Sequence, residues 1–124
     1  MSARGKNSKN PEVGFGVVGK KMFSIASSVR FWTSPSDHAE VAAQMVADHG
    51  FTALKFDPAG PYTIHGGHQP SMPDISLSVA TCAAIREAVG DKADLLFGTH
   101  GQFTTPGAIR LGNAIAPYNP LWYE

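Results

Sequence analysis

Cysteine is almost missing from this sequence: Cys82 is the only one in 124 residues. A lone thiol excludes an intramolecular disulfide and a cysteine-based zinc site, and it fits a reducing compartment. Net charge is missing too, because ten Lys and Arg balance ten Asp and Glu. That balance argues against a protein built to neutralise nucleic-acid phosphates or to sit on a membrane surface through a polybasic patch. No apolar run approaches the ~20 residues of a membrane helix, and the N-terminus lacks the apolar core of a signal peptide. Charged residues are only 16 % against 43 % hydrophobic, which argues against wholesale disorder. The expectation is one soluble, cytoplasmic domain with neither nucleic-acid nor membrane partners, preceded by a mobile leader over residues 1–21.

What is present alternates in type. Phe23, Ile25, Val29 and Phe31 suggest a strand over Phe23–Phe31. Ser34-Pro35-Ser36-Asp37 then carries the chemistry of a helix start: a hydroxyl cap, a proline at the first helical position and an early carboxylate. Ala42, Met45, Val46 and His49 fall on one helical face, and Gly50 supplies the stop. The run Phe51–Asp57 reads as the second strand, halted by Pro58 and Gly60. A second helix follows from Ile75, Val79, Cys82, Ile85 and Val89, and then a strand over Asp94–Gly98. Thr105-Pro106 opens a third helix with Ala108, Leu111 and Ile115 inward; Pro117 closes it, and Pro120–Glu124 begins another strand.

Strands joined through helices pair in parallel with right-handed crossovers, so the fold class is α/β. A small doubly wound sheet and part of a (β/α)₈ barrel both fit this order. A doubly wound nucleotide binder would carry a glycine fingerprint after its first strand, and there is none. The chain length is about half the roughly 250 residues of a complete barrel, and no helix follows the last strand. The expectation is a partial (β/α)₈ barrel over residues 22–124, about the first half, truncated at a strand end.

In such folds chemistry gathers at the carboxyl ends of strands. Lys55 and Asp57, then His100, then Glu124 stand there, with Lys55 and Asp57 on one strand face by parity. Lysine and aspartate in a strand need partners, because unpaired burial is costly. A structural Lys55–Asp57 or Lys55–Glu124 ion pair would answer that need without any function.

These same segments carry a resemblance. Gly50-Phe-Thr-Ala-Leu-Lys-Phe-Asp57, Asp94-Leu-Leu-Phe-Gly-Thr-His-Gly-Gln102 and Asn119-Pro-Leu-Trp-Tyr-Glu124 resemble the barrel of the enolase superfamily. The similarity is to its mandelate racemase and muconate lactonizing group, and there to acid-sugar dehydratases of the galactonate dehydratase type. The resemblance runs from about Phe23 to Glu124. It implies Mg²⁺-dependent removal of a proton next to a sugar-acid carboxylate, followed by loss of water. It makes Lys55 a contact to the substrate carboxylate, His100 an acid–base residue and Glu124 a Mg²⁺ ligand. Asp57 stands where the family has a second, often basic, lysine. Gly98 stands where it has the first metal-ligating aspartate, so a gap is expected there. Further ligands and the later histidine–aspartate base would lie beyond Glu124.

The family chemistry is physically coherent. The proton next to a carboxylate is removable only if the resulting enediolate is stabilised by positive charge, from Mg²⁺ and a lysine. A histidine, which titrates near neutral pH, can then protonate the departing hydroxyl. His65 and His68, in a Gly-rich loop after Lys55, are further candidate substrate contacts, against the plainer reading of solvated loop residues. His38 and His49 read as structural, Cys82 as an inert core thiol and Trp122 as packing beside the site. The leading expectation is an acid-sugar dehydratase fragment, inactive alone and a homo-oligomer through its open strand edges. A cycloisomerase or racemase of the same superfamily, or a non-catalytic fragment, are the alternatives.

Overall fold

Each helix starts in the same way. In the computed structural model, which describes residues 21–25, 34–57 and 67–124, Ser34 caps α1 (Pro35–His49), Ser71 caps α2 (Met72–Val89) and Thr104 caps α3 (Thr105–Ile115). Each cap hydroxyl accepts from the backbone N–H three residues on, and a proline occupies the first or second helical position. At α1 the box is reciprocal: Ser34 Oγ accepts from the Asp37 N–H, and Asp37 Oδ2 accepts from the Ser34 N–H, both at 3.3 Å. Gly50, at φ 69°, ends α1 in the left-handed conformation that a glycine adopts without a steric penalty.

Four strands alternate with these helices: β1 (Met22–Ser24), β2 (Ala53–Phe56), β3 (Asp94–Phe97) and β4 (Pro120–Tyr123), with a 3₁₀ turn at Ala116–Tyr118 before the last. All neighbours are parallel and the spatial order is β1-β2-β3-β4. That order selects between the two candidate architectures. A doubly wound sheet reverses direction at a switch point, whereas a (β/α)₈ barrel adds each strand beside the last. The described units are a partial barrel.

Strand β1 is shorter than the Phe23–Phe31 pattern suggests. Its pairing ends at Ser24 opposite Lys55, β2 extends one residue further, and Ile25 is helical. The remainder of that stretch, and residues 1–20 of the expected leader, lie outside the described residues. Lys21 is tied to the fold, accepting from the Thr52 and Ala53 N–H groups and donating through Nζ to the His49 carbonyl at 2.7 Å.

The core lies between sheet and helices. Phe23, Leu54, Phe56, Leu95 and Phe97 project to the helix side, where Ala42, Cys82, Ile85, Leu111 and Ile115 meet them. Leu96 and Ala53 are equally buried on the opposite face. Strands covered on both sides explain the near-continuous apolar runs in the sequence. His49 corrects the expected inward face of α1: it is exposed at the last turn, while Ala42 is buried and Met45 and Val46 are half-buried. His38 is buried, with Nδ1 3.1 Å from the Ser34 carbonyl. Burial raises the Cys82 thiol to about 12, with Arg86 pulling weakly the other way.

Candidate functional site

Alternation along β2 places the first functional side chains. Leu54 and Phe56 enter the helix-side core, so Lys55 and Asp57 share the other face at the carboxyl end. Register carries that face across the sheet: Lys55 aligns with Leu96, and Leu96 with Trp122. The Lys55 ammonium lies 5.5 Å from the centre of the Trp122 ring and 3.4 Å from Glu124 Oε1. Both side chains keep solvent contact, so this ion pair contributes only about 0–1 kcal/mol to stability.

Glu124 is fixed through its backbone. Its N–H donates to the Phe97 carbonyl at 2.8 Å, and its carbonyl accepts from Thr99 Oγ1 at 2.7 Å. The approach of β4 depends on Arg86, whose guanidinium donates to the carbonyls of Gly90, Ala93, Tyr118 and Asn119. Neither Thr99 nor Arg86 stands out in the sequence; an arginine inside an otherwise apolar helix face was the available signal.

His100 reaches the site by a turn rather than by strand parity. His100 and Gly101 have φ 58° and 66°, and the Gln102 N–H bonds back to the Thr99 carbonyl at 3.3 Å. Two consecutive positive φ values are the pattern of a type I′ turn, and histidine is among the few residues that tolerate them. The ring Nε2 thereby comes 2.8 Å from Asp57 Oδ2. A carboxylate only accepts, so this contact puts a proton on Nε2.

The gap expected at Gly98 is filled. A Cβ at residue 98 would lie 2.5 Å from Asp57 Oδ1 and 3.0 Å from Lys55 Cε. The Asp57 carboxylate thus occupies the space of the missing side chain, because β2 and β3 run side by side there. Its Oδ1 is buried and has no hydrogen-bond partner among the described residues. Lys55, Asp57, His100 and Glu124 are therefore joined as two pairs meeting over Gly98. His68 pairs instead with the loop after β3: its N–H donates to the Gln102 carbonyl, and its ring meets Phe103 edge-on at 5.2 Å. His65 lies outside the described residues.

A divalent cation fits this chemistry in part. The orphaned Asp57 Oδ1 and the Glu124 carboxylate are hard oxygen donors, and Mg²⁺ is often held by one or two carboxylates with waters completing its shell. Among the described residues, however, no group of three or more His, Cys, Asp or Glu can enclose a metal. No described helix is long and apolar enough to cross a membrane.

Comparison with known proteins agrees with the fold. D-gluconate dehydratase of Thermoproteus tenax is 36 % identical over 90 residues, covering 73 % of this chain and 17 % of that enzyme. D-xylonate dehydratase of Haloferax volcanii is 34 % identical over 94 residues, covering 73 % of this chain and 23 % of that one. The crystal structure of a mandelate racemase/muconate lactonizing enzyme from Sulfitobacter sp. is 76 % identical, with a TM-score of 0.71, over 75 % of this chain and 23 % of that one. The chain thus spans about a fifth of the length of the relatives it matches. Residues 37–124 match the Enolase C-terminal domain-like family, and the chain belongs to that family.

Proposed function

We propose that the barrel to which this chain contributes is an acid-sugar dehydratase, removing water from an aldonate-type sugar acid to leave a 2-keto-3-deoxy acid. The observation that carries this reading is the meeting of a lysine, a histidine–aspartate pair and a glutamate at the carboxyl ends of three adjacent strands. Mg²⁺, held in part by Glu124, would supply positive charge against the substrate carboxylate as the neighbouring proton leaves.

The chain's own residues divide the remaining work. Lys55 binds the substrate carboxylate through Nζ, and Trp122 beneath it shields one side of that contact from water. His100 acts as the acid–base residue toward the departing hydroxyl. Asp57 Oδ2 holds the Nε2 proton and so orients the ring for that exchange. His65 and His68 are assigned to selection of the sugar.

The test is a chimera in which residues 37–124 replace the matching segment of the Thermoproteus tenax D-gluconate dehydratase. With Mg²⁺ and a panel of aldonates, loss of the proton and of water, followed by NMR, supports dehydration. Exchange of that proton without water loss favours the racemase or cycloisomerase alternative. A folded chimera that does neither overturns the proposal. The 124-residue chain alone is expected to be inactive, since the described residues hold too few ligands for a dedicated site.

A further inference from the structure

We infer that Asp57 is a divalent-cation ligand, supplying from β2 the carboxylate that the resembled family carries one strand over, at the position of Gly98. The inference rests on the cation implied by the proposed function, and on two features of this chain alone.

The first is steric. Any side chain at residue 98 would place its Cβ 2.5 Å from Asp57 Oδ1, so Asp57 in this pose and a side chain at 98 exclude each other. The glycine just after β3 and the aspartate just after β2 form one unit, in which the carboxylate stands at the end of β3 while its backbone continues β2.

The second is the difference between the two oxygens of Asp57. Oδ2 accepts from His100 Nε2 at 2.8 Å, whereas Oδ1 is buried without a partner among the described residues. An unsatisfied buried carboxylate oxygen is costly, and a bound cation relieves that cost as a hydrogen-bond donor would. Lys55 is the cation at hand, yet its ammonium is engaged with Glu124 at 3.4 Å. Two hard oxygen donors flanking one lysine suit Mg²⁺ or Mn²⁺, which would displace that ammonium. A second hydrogen bond on a ligating carboxylate, here from His100, is the usual way such a ligand is oriented.

Binding is read directly, apart from turnover, by titrating the ¹⁵N-labelled 124-residue chain with Mn²⁺ and following paramagnetic broadening of amide signals. Broadening centred on Gly98, Thr99 and Glu124 at millimolar Mn²⁺ is expected. Asp57→Asn should weaken the response about tenfold or more, and the reciprocal pair Asp57→Gly with Gly98→Asp should restore it. Gly98→Ala, which drives a Cβ against Oδ1, should weaken it while leaving Asp57 in place. Signal dispersion verifies that each variant is folded. Broadening that is absent, centred elsewhere, or unchanged in both Asp57→Asn and Gly98→Ala overturns the inference. A chimera that binds Mn²⁺ through Asp57 yet dehydrates nothing would refute the proposed function and leave this inference standing.

Discussion

His100 Nε2 lies 2.8 Å from Asp57 Oδ2, joining a turn after β3 to the end of β2 across 43 positions of sequence. The contact assigns the ring proton to Nε2, because an ionised carboxylate offers no proton of its own. Asp57→Ala should lower the share of the Nε2–H tautomer. Imidazole ¹⁵N shifts of the neutral form measure this directly. A ring that keeps one tautomer in the variant would mean that some other group orients it.

Burial makes the alkaline range the weak side of this fold. The Cys82 thiol is raised from 9.0 to about 12 by desolvation, and burial also raises the Tyr123 phenol. Above pH 9 the unfolded chain gives up the thiol proton while the folded chain keeps it. Stability from Cys82 is therefore complete below about 9 and is lost as pH rises from there toward about 12. Urea midpoints should fall over that interval, and Cys82→Ala should flatten the fall. In the native chain at pH 8 the thiol should resist alkylation, and it should react once the chain is unfolded.

Gly107 sets two effects against each other. Alanine in the first turn of α3 gains about 1 kcal/mol of helix propensity. Its Cβ, however, would stand 2.8 Å from Pro70 Cδ, part of a rigid ring. Overpacking of this kind costs about 1–3 kcal/mol, so the clash wins. Gly107→Ala should lower the denaturant midpoint; a rise would mean that the Pro70 loop yields freely.

The open edge at β4 predicts association. Leu121 is 49 % exposed there, beside a strand with one partner among the described residues. Sedimentation velocity on the 124-residue chain should detect concentration-dependent self-association, reduced by Leu121→Lys. A monodisperse monomer that unfolds cooperatively would contradict this and point to a self-sufficient α/β unit.

The helix starts at Ser34-Pro35 and Thr105-Pro106, the glycine stop at Gly50 and the apolar runs of β2 and β3 were legible because each is local chemistry. A cap needs only its own first turn, and a strand buried on both faces needs only apolar residues in succession. Strand parity likewise set Lys55 and Asp57 on one face, and position at strand ends, together with the family resemblance, marked His100 and Glu124. Three things were decided by the assembled sheet. The order β1-β2-β3-β4 distinguished barrel from doubly wound sheet, since both share one element pattern. Lys55 chose Glu124 over Asp57, because β4 is held by Arg86 and Phe97 where the ammonium can reach it. Asp57 turned to His100 over Gly98, because a left-handed turn re-aims the ring and a missing Cβ leaves room for the carboxylate. Residue types and local turns lie within a few positions of one another and are written in the sequence. Which charge meets which depends on side chains from different strands sharing one small volume, and only the packed sheet brings them there.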